Sequence, residues 1–212
     1  MRATVDNQPS NAQLKDKIHH FRQEEIIKTA GELFYEQGYT NTSMTQIASS
    51  LGIGKPLIYS YFNGKADLLG AVCNRVPLLV ANLTTYALQT TDSPTRKLQN
   101  IIRELCLNVI KDQHCLAVLL REEKHLSGSA RKELAKNEQF FRNVISRLLE
   151  EGREAGEFVF DIDVRVLSHA LAGMTTWIYS WYRENGPMAP DEIAKHMAKI
   201  ALASVGAKAE AG

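Results

Sequence analysis

Between Thr45 and Lys65 the chain gathers side chains suited to gripping a polyanion: the ammonium groups of Lys55 and Lys65, the phenols of Tyr59 and Tyr61, and the hydroxyls of Thr45 and Ser60. Ammonium and hydroxyl groups hydrogen-bond to phosphate oxygens, and a tyrosine reaches either a phosphate or a base edge. The frame behind them is apolar. Ile47, Ala48, Leu51, Ile53, Ile58 and Phe62 recur at spacings that turn them to one side of two short helices, and Gly52-Ile53-Gly54 breaks the run between the two. That register leaves Lys55, Leu57, Tyr59, Ser60 and Tyr61 facing outward. Pro56 stands where the second helix begins, a position that tolerates its missing N–H. Two short helices joined by a glycine-containing turn, braced by a longer one, are what is needed to lay a helix in the major groove of DNA.

Other chemistries lack their motifs. There is no Gly-x-Ser-x-Gly elbow for a nucleophilic serine. Neither Gly54-Lys55 nor Gly64-Lys65 completes a phosphate-binding loop: Ser49 and Tyr59 stand where the first glycine must be, and Pro56 and Ala66 replace the serine or threonine. The histidines, including the pair His19-His20, show no metal-binding spacing. His114 and Cys115 are neighbours, which on a helix face different ways. No enzyme, metal or cofactor is therefore expected. Cys73, Cys106 and Cys115 are odd in number and lack a Cys-x-x-Cys pair, which suits buried thiols in a reducing compartment.

The composition is that of an ordinary globular chain: 212 residues, 44% hydrophobic and 23% charged, with a formal net charge of +1. Any DNA contact must then come from a local patch. From Lys15 to Lys65 there are only six Lys and Arg against five Asp and Glu, so affinity depends on placed contacts and, in a two-fold dimer, on their doubling. The polar stretch from Met1 to Gln13 has no apolar core of a secretion signal, and a cytoplasmic protein is expected. Val76 to Thr91 and Val166 to Tyr182 lack charge but are shorter than the roughly 20 apolar residues of a membrane span; both read as helices buried on more than one side.

The elements that position these residues are all helical. Ile26, Ile27, Ala30, Leu33 and Phe34 form one face of a first helix that ends at Gly38, a left-handed cap, with Tyr39 to Ser43 as connector. Asn63-Gly64 stops the second short helix, and Lys65 to Leu69 opens a longer one that Pro77 should kink or end. Ser93-Pro94 and Ser127-Gly128-Ser129 mark further helix starts, and Gly152 to Gly156 a helix end. Asp161 or Asp163 caps a helix running to about Glu184. After Asn185-Gly186-Pro187, a last helix runs from Pro190-Asp191 to about Val205. The expected organisation is a flexible arm over 1–16, a helix-turn-helix DNA-binding domain over 17–64, a ligand-binding and dimerisation domain over 65–206, and a tail over 207–212.

The run TQIASSLGIGKPLIYSYFNGKADLL resembles the DNA-binding signature of the TetR family of regulators, and the resemblance extends from Ile26 to Leu69. It implies an all-α homodimer with an amino-terminal three-helix DNA-binding domain and a larger helical domain. Such a dimer binds a palindromic double-stranded operator as a repressor and releases it for a small-molecule effector. Carried over by position, Lys55, Tyr59 and Tyr61 touch phosphates and base edges, Thr45 starts the first short helix against the DNA backbone, and Lys65 meets a phosphate. Pro56, Leu57 and Ser60 share that surface. The family pattern has Ser or Thr at Gly54, so one hydroxyl that would serve as a phosphate contact or cap is missing. The basic string Lys15, Lys17, His19, His20 and Arg22 supplies a flexible arm.

Two apolar helices at the end of the chain resemble the four-helix dimer interface of this family. They carry Leu167, Leu171, Met174 and Ile178, with Trp177 and Trp181 alongside, and then Ile193, Met197, Ile200 and Val205. The segment from EEGREAGEF through GMTTWIYSWYRENG is similar to members that answer acyl-CoA thioesters of fatty-acid and steroid breakdown. That similarity implies an apolar tunnel with arginines near the CoA phosphates. The candidate ligand residues are Trp177, Trp181, Arg183, Arg121 and Arg142, with Arg147 as a further cation and Cys106, Leu107, Val109, Ile110, Leu116, Val118 and Leu119 as walls. Two alternatives stay open: a repressor of a drug-efflux gene sensing lipophilic cations, and a helical adaptor that binds protein and no DNA.

Overall fold

The computed structural model describes residues 11–207, and among them every regular element is a helix. The chain divides after Leu69 into two compact units. The first holds α1 (Asn11–Gln37), α2 (Met44–Ser50), α3 (Lys55–Tyr59) and the beginning of α4 (Lys65–Gln89). Its core joins Ile26, Ala30 and Phe34 of α1 to Met44, Ile47 and Ala48 of α2, Ile58 of α3, and Phe62 and Leu68 beyond it. Leu51 and Ile53, expected in that core, are half-buried at its edge.

Local backbone chemistry sets the ends of these short helices. Gly38 adopts φ 85° and its N–H donates to the Phe34 carbonyl at 3.0 Å, which closes α1; Gly52 adopts φ 65° in the turn between α2 and α3. Ser43 and Gln46 form a reciprocal capping box at the start of α2: the Gln46 N–H donates to Ser43 Oγ at 3.2 Å and the Ser43 N–H to Gln46 Oε1 at 2.7 Å. Gly54 caps α3 without a side-chain bond, and Pro56 lies in the first turn.

The segment expected as a flexible arm is helical from Asn11, so Lys15 to Arg22 belong to α1. No proline interrupts Asn11–Gln37, its one glycine, Gly31, lies in the packed half, and that half nucleates the exposed one. Residues 1–10 of that arm and 208–212 of the tail lie outside the described residues.

The second unit continues α4 and adds α5 (Pro94–Lys111), α6 (Gln113–Glu122), a 3-10 turn (Glu123–His125), α7 (Gly128–Glu154), α8 (Val164–Thr176), α9 (Ile178–Trp181) and α10 (Pro190–Ser204). The Ser93 and Ser127 hydroxyls accept the Arg96 and Ala130 N–H groups as caps of α5 and α7, and Asp163 caps α8. Within this unit α10 lies along α5, α8 packs on α7 and α5, and α9 on α5 and α6. Gly152 makes room for the buried ring of Phe158, since a Cβ there would stand 2.1 Å from the ring.

Two expectations are corrected here. Pro77, expected to kink or end α4, does not end it: the helix runs on to Gln89 with the loss of one N–H at the proline. The helix expected from Asp163 to about Glu184 breaks at Trp177. Thr175 Oγ1 donates back to the carbonyls of Leu171 (3.2 Å) and Ala172 (2.9 Å), a bond type that bends helices one turn on. The stretch Lys65–Leu83 is long and apolar enough to cross a membrane by composition. It contains Arg75, whose Nε donates to buried Asp112 at 2.5 Å, and its Leu68, Leu69, Val72 and Val76 are buried in the protein while Leu78 is exposed.

All three cysteines are free and buried. Burial pushes the thiols of Cys73 and Cys106 up to about 12, so both stay protonated and unreactive at neutral pH.

Candidate functional site

The short helix α3 presents a compact polar surface. Lys55, Pro56, Tyr59 and Ser60 are exposed, and Ile58 between them is fully buried, which fixes the rotation of the helix. The Tyr59 ring is 45% exposed, an unusual position for an aromatic side chain on so short a helix, and Lys55 Nζ lies 5.8 Å from its centroid. Ser60 turns its hydroxyl back onto the Leu57 carbonyl at 2.7 Å. Leu57 and Tyr61, expected to face outward, are half-buried, and Tyr61 packs against His19 of α1 with centroids 4.5 Å apart. Thr45 is exposed in the first turn of α2, just after the cap at Ser43.

Lys65 is engaged elsewhere than in the phosphate contact expected of it. Its ammonium donates to the carbonyls of Tyr39 (2.8 Å), Thr40 (3.2 Å) and Thr42 (2.9 Å) and sits 4.4 Å from the Tyr39 ring centroid. Three N–H donors thus serve three carbonyls of the α1–α2 connector that no helix satisfies. Thr42, which no sequence signal singles out, is the buried centre of the same connector: its hydroxyl lies 3.0 Å from the Gly38 carbonyl and 3.3 Å from that of Leu33. Together these bonds hold α2 and α3 in place against α1.

The second unit contains an apolar cleft of about 250 Å³. Its walls are Val76 and Val80 of α4, Leu105 and Val109 of α5, Leu116 and Leu119 of α6, and Phe141 of α7; Glu138, Arg142 and His169 add polar groups. Arg142 Nη2 donates to Gln139 Oε1 at 3.1 Å and Nη1 lies 3.7 Å from Glu138. His169 Nδ1 stands 2.6 Å from the Arg165 carbonyl, which only accepts, so Nδ1 is the donor. Asn137 also lines the cleft, and its Nδ2 is buried without a hydrogen-bond partner.

Of the candidate ligand residues only Arg142 borders this cleft. Trp177 and Trp181 are 61% and 44% exposed and lie outside its lining. Arg183 folds back onto the carbonyls of Ser180 and Tyr182 at 3.1 and 2.7 Å. Arg121 is exposed at the end of α6, and Arg147 pairs with Glu151 at 2.8 Å. Of the expected walls, Val109, Leu116 and Leu119 line the cleft. Cys106, Ile110 and Val118 are buried elsewhere in the core, and Leu107 is half-buried outside the lining. The residues that sequence reasoning missed include Val76, Val80, Leu105, Phe141 and His169. Val76 and Val80 lie in the uncharged stretch from Val76 and His169 in the one from Val166, while no sequence signal singled out Leu105 or Phe141.

One exposed stripe of α8 is apolar or small, Val166, Ala170 and Gly173 and then Trp177 at its end, with Arg165 and His169 exposed alongside it and Ile200 exposed on α10. At the start of α8 the Arg165 guanidinium and N–H hold the Asp163 carboxyl down at about 2. Among the described residues no group of three or more His, Cys, Asp or Glu is placed to hold a metal ion.

Residues 26–72 match the family of bacterial regulatory proteins called tetR, and residues 91–205 match the tetracyclin repressor-like carboxy-terminal domain. The chain is 26% identical over 189 residues to the HTH-type transcriptional repressor KstR2 of Mycolicibacterium smegmatis, covering 87% of this chain and 90% of that one. It is 24% identical over 160 residues to the fatty acid metabolism regulator protein of Bacillus subtilis, covering 73% and 82%. Among solved structures, AibR in complex with isovaleryl coenzyme A and operator DNA superposes with a TM-score of 0.69 at 24% identity, over 84% of this chain and 97% of that one. With both halves matched and the helix-turn-helix in place, this chain belongs to the TetR family of DNA-binding transcriptional regulators.

Proposed function

We propose that the protein is a homodimeric repressor that leaves a palindromic operator when an acyl-CoA thioester occupies its carboxy-terminal unit. The observation that carries the effector class is the cleft: apolar walls from α4 to α7 with one guanidinium, Arg142, beside them. At about 250 Å³ it lies below the roughly 300–1,000 Å³ usual for a drug-sized ligand, so it suits an acyl group and leaves the CoA nucleotide outside, where an arginine meets phosphate. The Bacillus regulator named for fatty acid metabolism and AibR in complex with isovaleryl coenzyme A support the same class.

The exposed surface of α3, with Lys55, Tyr59 and Ser60 and with Thr45 nearby on α2, is the part we assign to the operator. The apolar face of α8 is the part we assign to a second copy, because an exposed Trp177 beside Val166 needs a partner surface. A two-fold dimer presents two reading helices to successive major grooves, about 34 Å apart, and ligand favours a geometry that misses this spacing. Such a regulator works in the cytoplasm. A lipophilic cation is the second reading, favoured by Glu138 in the cleft. Against it, Glu138 is within reach of Arg142, and Phe141 is the one aromatic hydrocarbon ring among the described lining residues.

The test is thermal unfolding against a panel of acyl-CoA thioesters and hydrophobic cations, followed by operator release with whichever compound stabilises the protein. Stabilisation by acyl-CoAs together with at least tenfold weaker operator binding, about 1.4 kcal/mol of coupling, is expected. Stabilisation by cations alone moves the assignment to efflux control, and equal operator affinity with and without every compound overturns ligand-induced release.

A further inference from the structure

The first unit has three features that the reading surface of α3 does not explain, namely the helical overhang of α1, its basic residues, and the ring contact between His19 and Tyr61. We propose that the overhang is a second DNA-contacting element, in which Lys15 and Arg22 track the phosphate backbone beside the groove read by α3, with His19 as the positioning residue between them. The inference rests on the DNA-binding reading of α3 given above.

On a helix, residues spaced by four and then three share one face, so Lys15, His19 and Arg22 form a row, and all three are exposed. Lys17 and Lys28 fall on the far side of α1. The row is not free to wander. The His19 ring lies 4.5 Å from that of Tyr61 at a 31° tilt, and Tyr61 stands two residues beyond Tyr59 at the end of α3. That contact ties the overhang to the edge of the reading surface. Seven residues of helix carry Lys15 and Arg22 about 10 Å apart, enough for each to meet its own phosphate along one strand.

The charge balance of this unit makes the row matter. Lys65 commits its three ammonium N–H groups to three connector carbonyls in this structure. Of the six Lys and Arg between Lys15 and Lys65, that leaves Lys55 on α3 and the α1 row as the cations on this side of the unit. A single lysine per reading helix gives little non-specific affinity; three cations per protomer, doubled in a dimer, give the usual steep salt dependence.

Because phosphate contacts carry no sequence information, the probe is a fluorescein-labelled mixed-sequence duplex of about 30 base pairs, titrated with the full-length protein over a series of KCl concentrations. The slope of log affinity against log salt should become shallower by about 0.9 for each contact removed, hence by nearly 2 per protomer in the double variant Lys15→Ala/Arg22→Gln. The double variant Lys132→Ala/Lys136→Ala on α7, with the same loss of charge, should leave the slope unchanged. His19→Ala should weaken binding without changing the melting temperature, and His19→Phe, which keeps a ring against Tyr61, should restore it. An unchanged slope in the α1 double variant, or an equal change in the α7 control, overturns the proposal. A wild-type protein that binds no duplex even at low salt instead overturns the DNA-binding reading on which it stands.

Discussion

The two units of this protein place their working residues in opposite ways. In the first, the polar surface sits on a five-residue helix whose ends and rotation are set by neighbours in sequence: Gly54 before it, Pro56 in its first turn, buried Ile58 within it, Phe62 after it. In the second, the cleft takes its walls from α4, α5, α6, α7 and α8, so residues far apart in sequence meet only through packing. A surface written in consecutive residues concentrates its free energy in a few side chains, whereas a cleft assembled from many helices spreads it over all of them.

Substitutions can break or sharpen this contrast. The largest effect is expected from Tyr59→Ala, which should weaken operator binding at least a hundredfold, about 2.7 kcal/mol, with dimerisation and melting temperature unchanged because the ring is exposed. A loss of dimer or of stability would make Tyr59 a packing residue and dissolve the contrast. Gly152→Ala should show the reverse pattern. Its new methyl meets the Phe158 ring, and calorimetry should record about 1–3 kcal/mol of lost stability while the surface of α3 is untouched.

Lys65→Met removes a donor from three connector carbonyls, of which Tyr39 keeps the Thr42 N–H, and should cost about 1–2 kcal/mol, read as earlier melting of the first unit and a modest loss of DNA affinity. Arg142→Gln should reduce affinity for acyl-CoA about tenfold while sparing the apolar part of the ligand, since the walls remain. An equal loss for a CoA-free fatty acid would place Arg142 at the carboxyl end of the acyl group instead.

The smallest effect concerns acid. Asp163 is held at about 2 in the fold against an ordinary value of 3.8, so the unfolded chain takes up its proton first. The stability this contributes is whole above roughly pH 5 and fades as the pH falls through 4 towards 2; Asp163→Asn should flatten that limb of the acid unfolding curve and nothing above it.

Legibility in the sequence follows the same division. Gly38, Ser93-Pro94, Ser127 and Pro190 announce helix ends because capping is chemistry between near neighbours. The helix-turn-helix is legible for the same reason, down to the buried Ile47, Ile58 and Phe62. Lys65 reads as a phosphate contact because its actual partners lie more than twenty residues earlier in the chain, at Tyr39, Thr40 and Thr42. Pro77 reads as a kink or a stop, and α4 runs through it to Gln89. Among the arginines, spacing offers no means of separating Arg142 from Arg121 or Arg183, since what places one beside the cleft is the packing of α7 against helices elsewhere in the chain. The aromatic pair Trp177 and Trp181 suggests a pocket, but the helix breaks at Trp177 and both rings stand exposed.

The buried cysteines have a practical consequence. Cys73, Cys106 and Cys115 lie on α4, α5 and α6, the helices that wall the cleft, and the first unit contains no thiol at all. A thiol reagent added to the native protein therefore reports the opening of one half of the molecule only, at the rate at which that half breathes. If the cleft closes on an effector, the labelling should slow in proportion to the occupancy. The chain thus carries its own stopwatch for effector binding, needing neither an operator sequence nor an added dye.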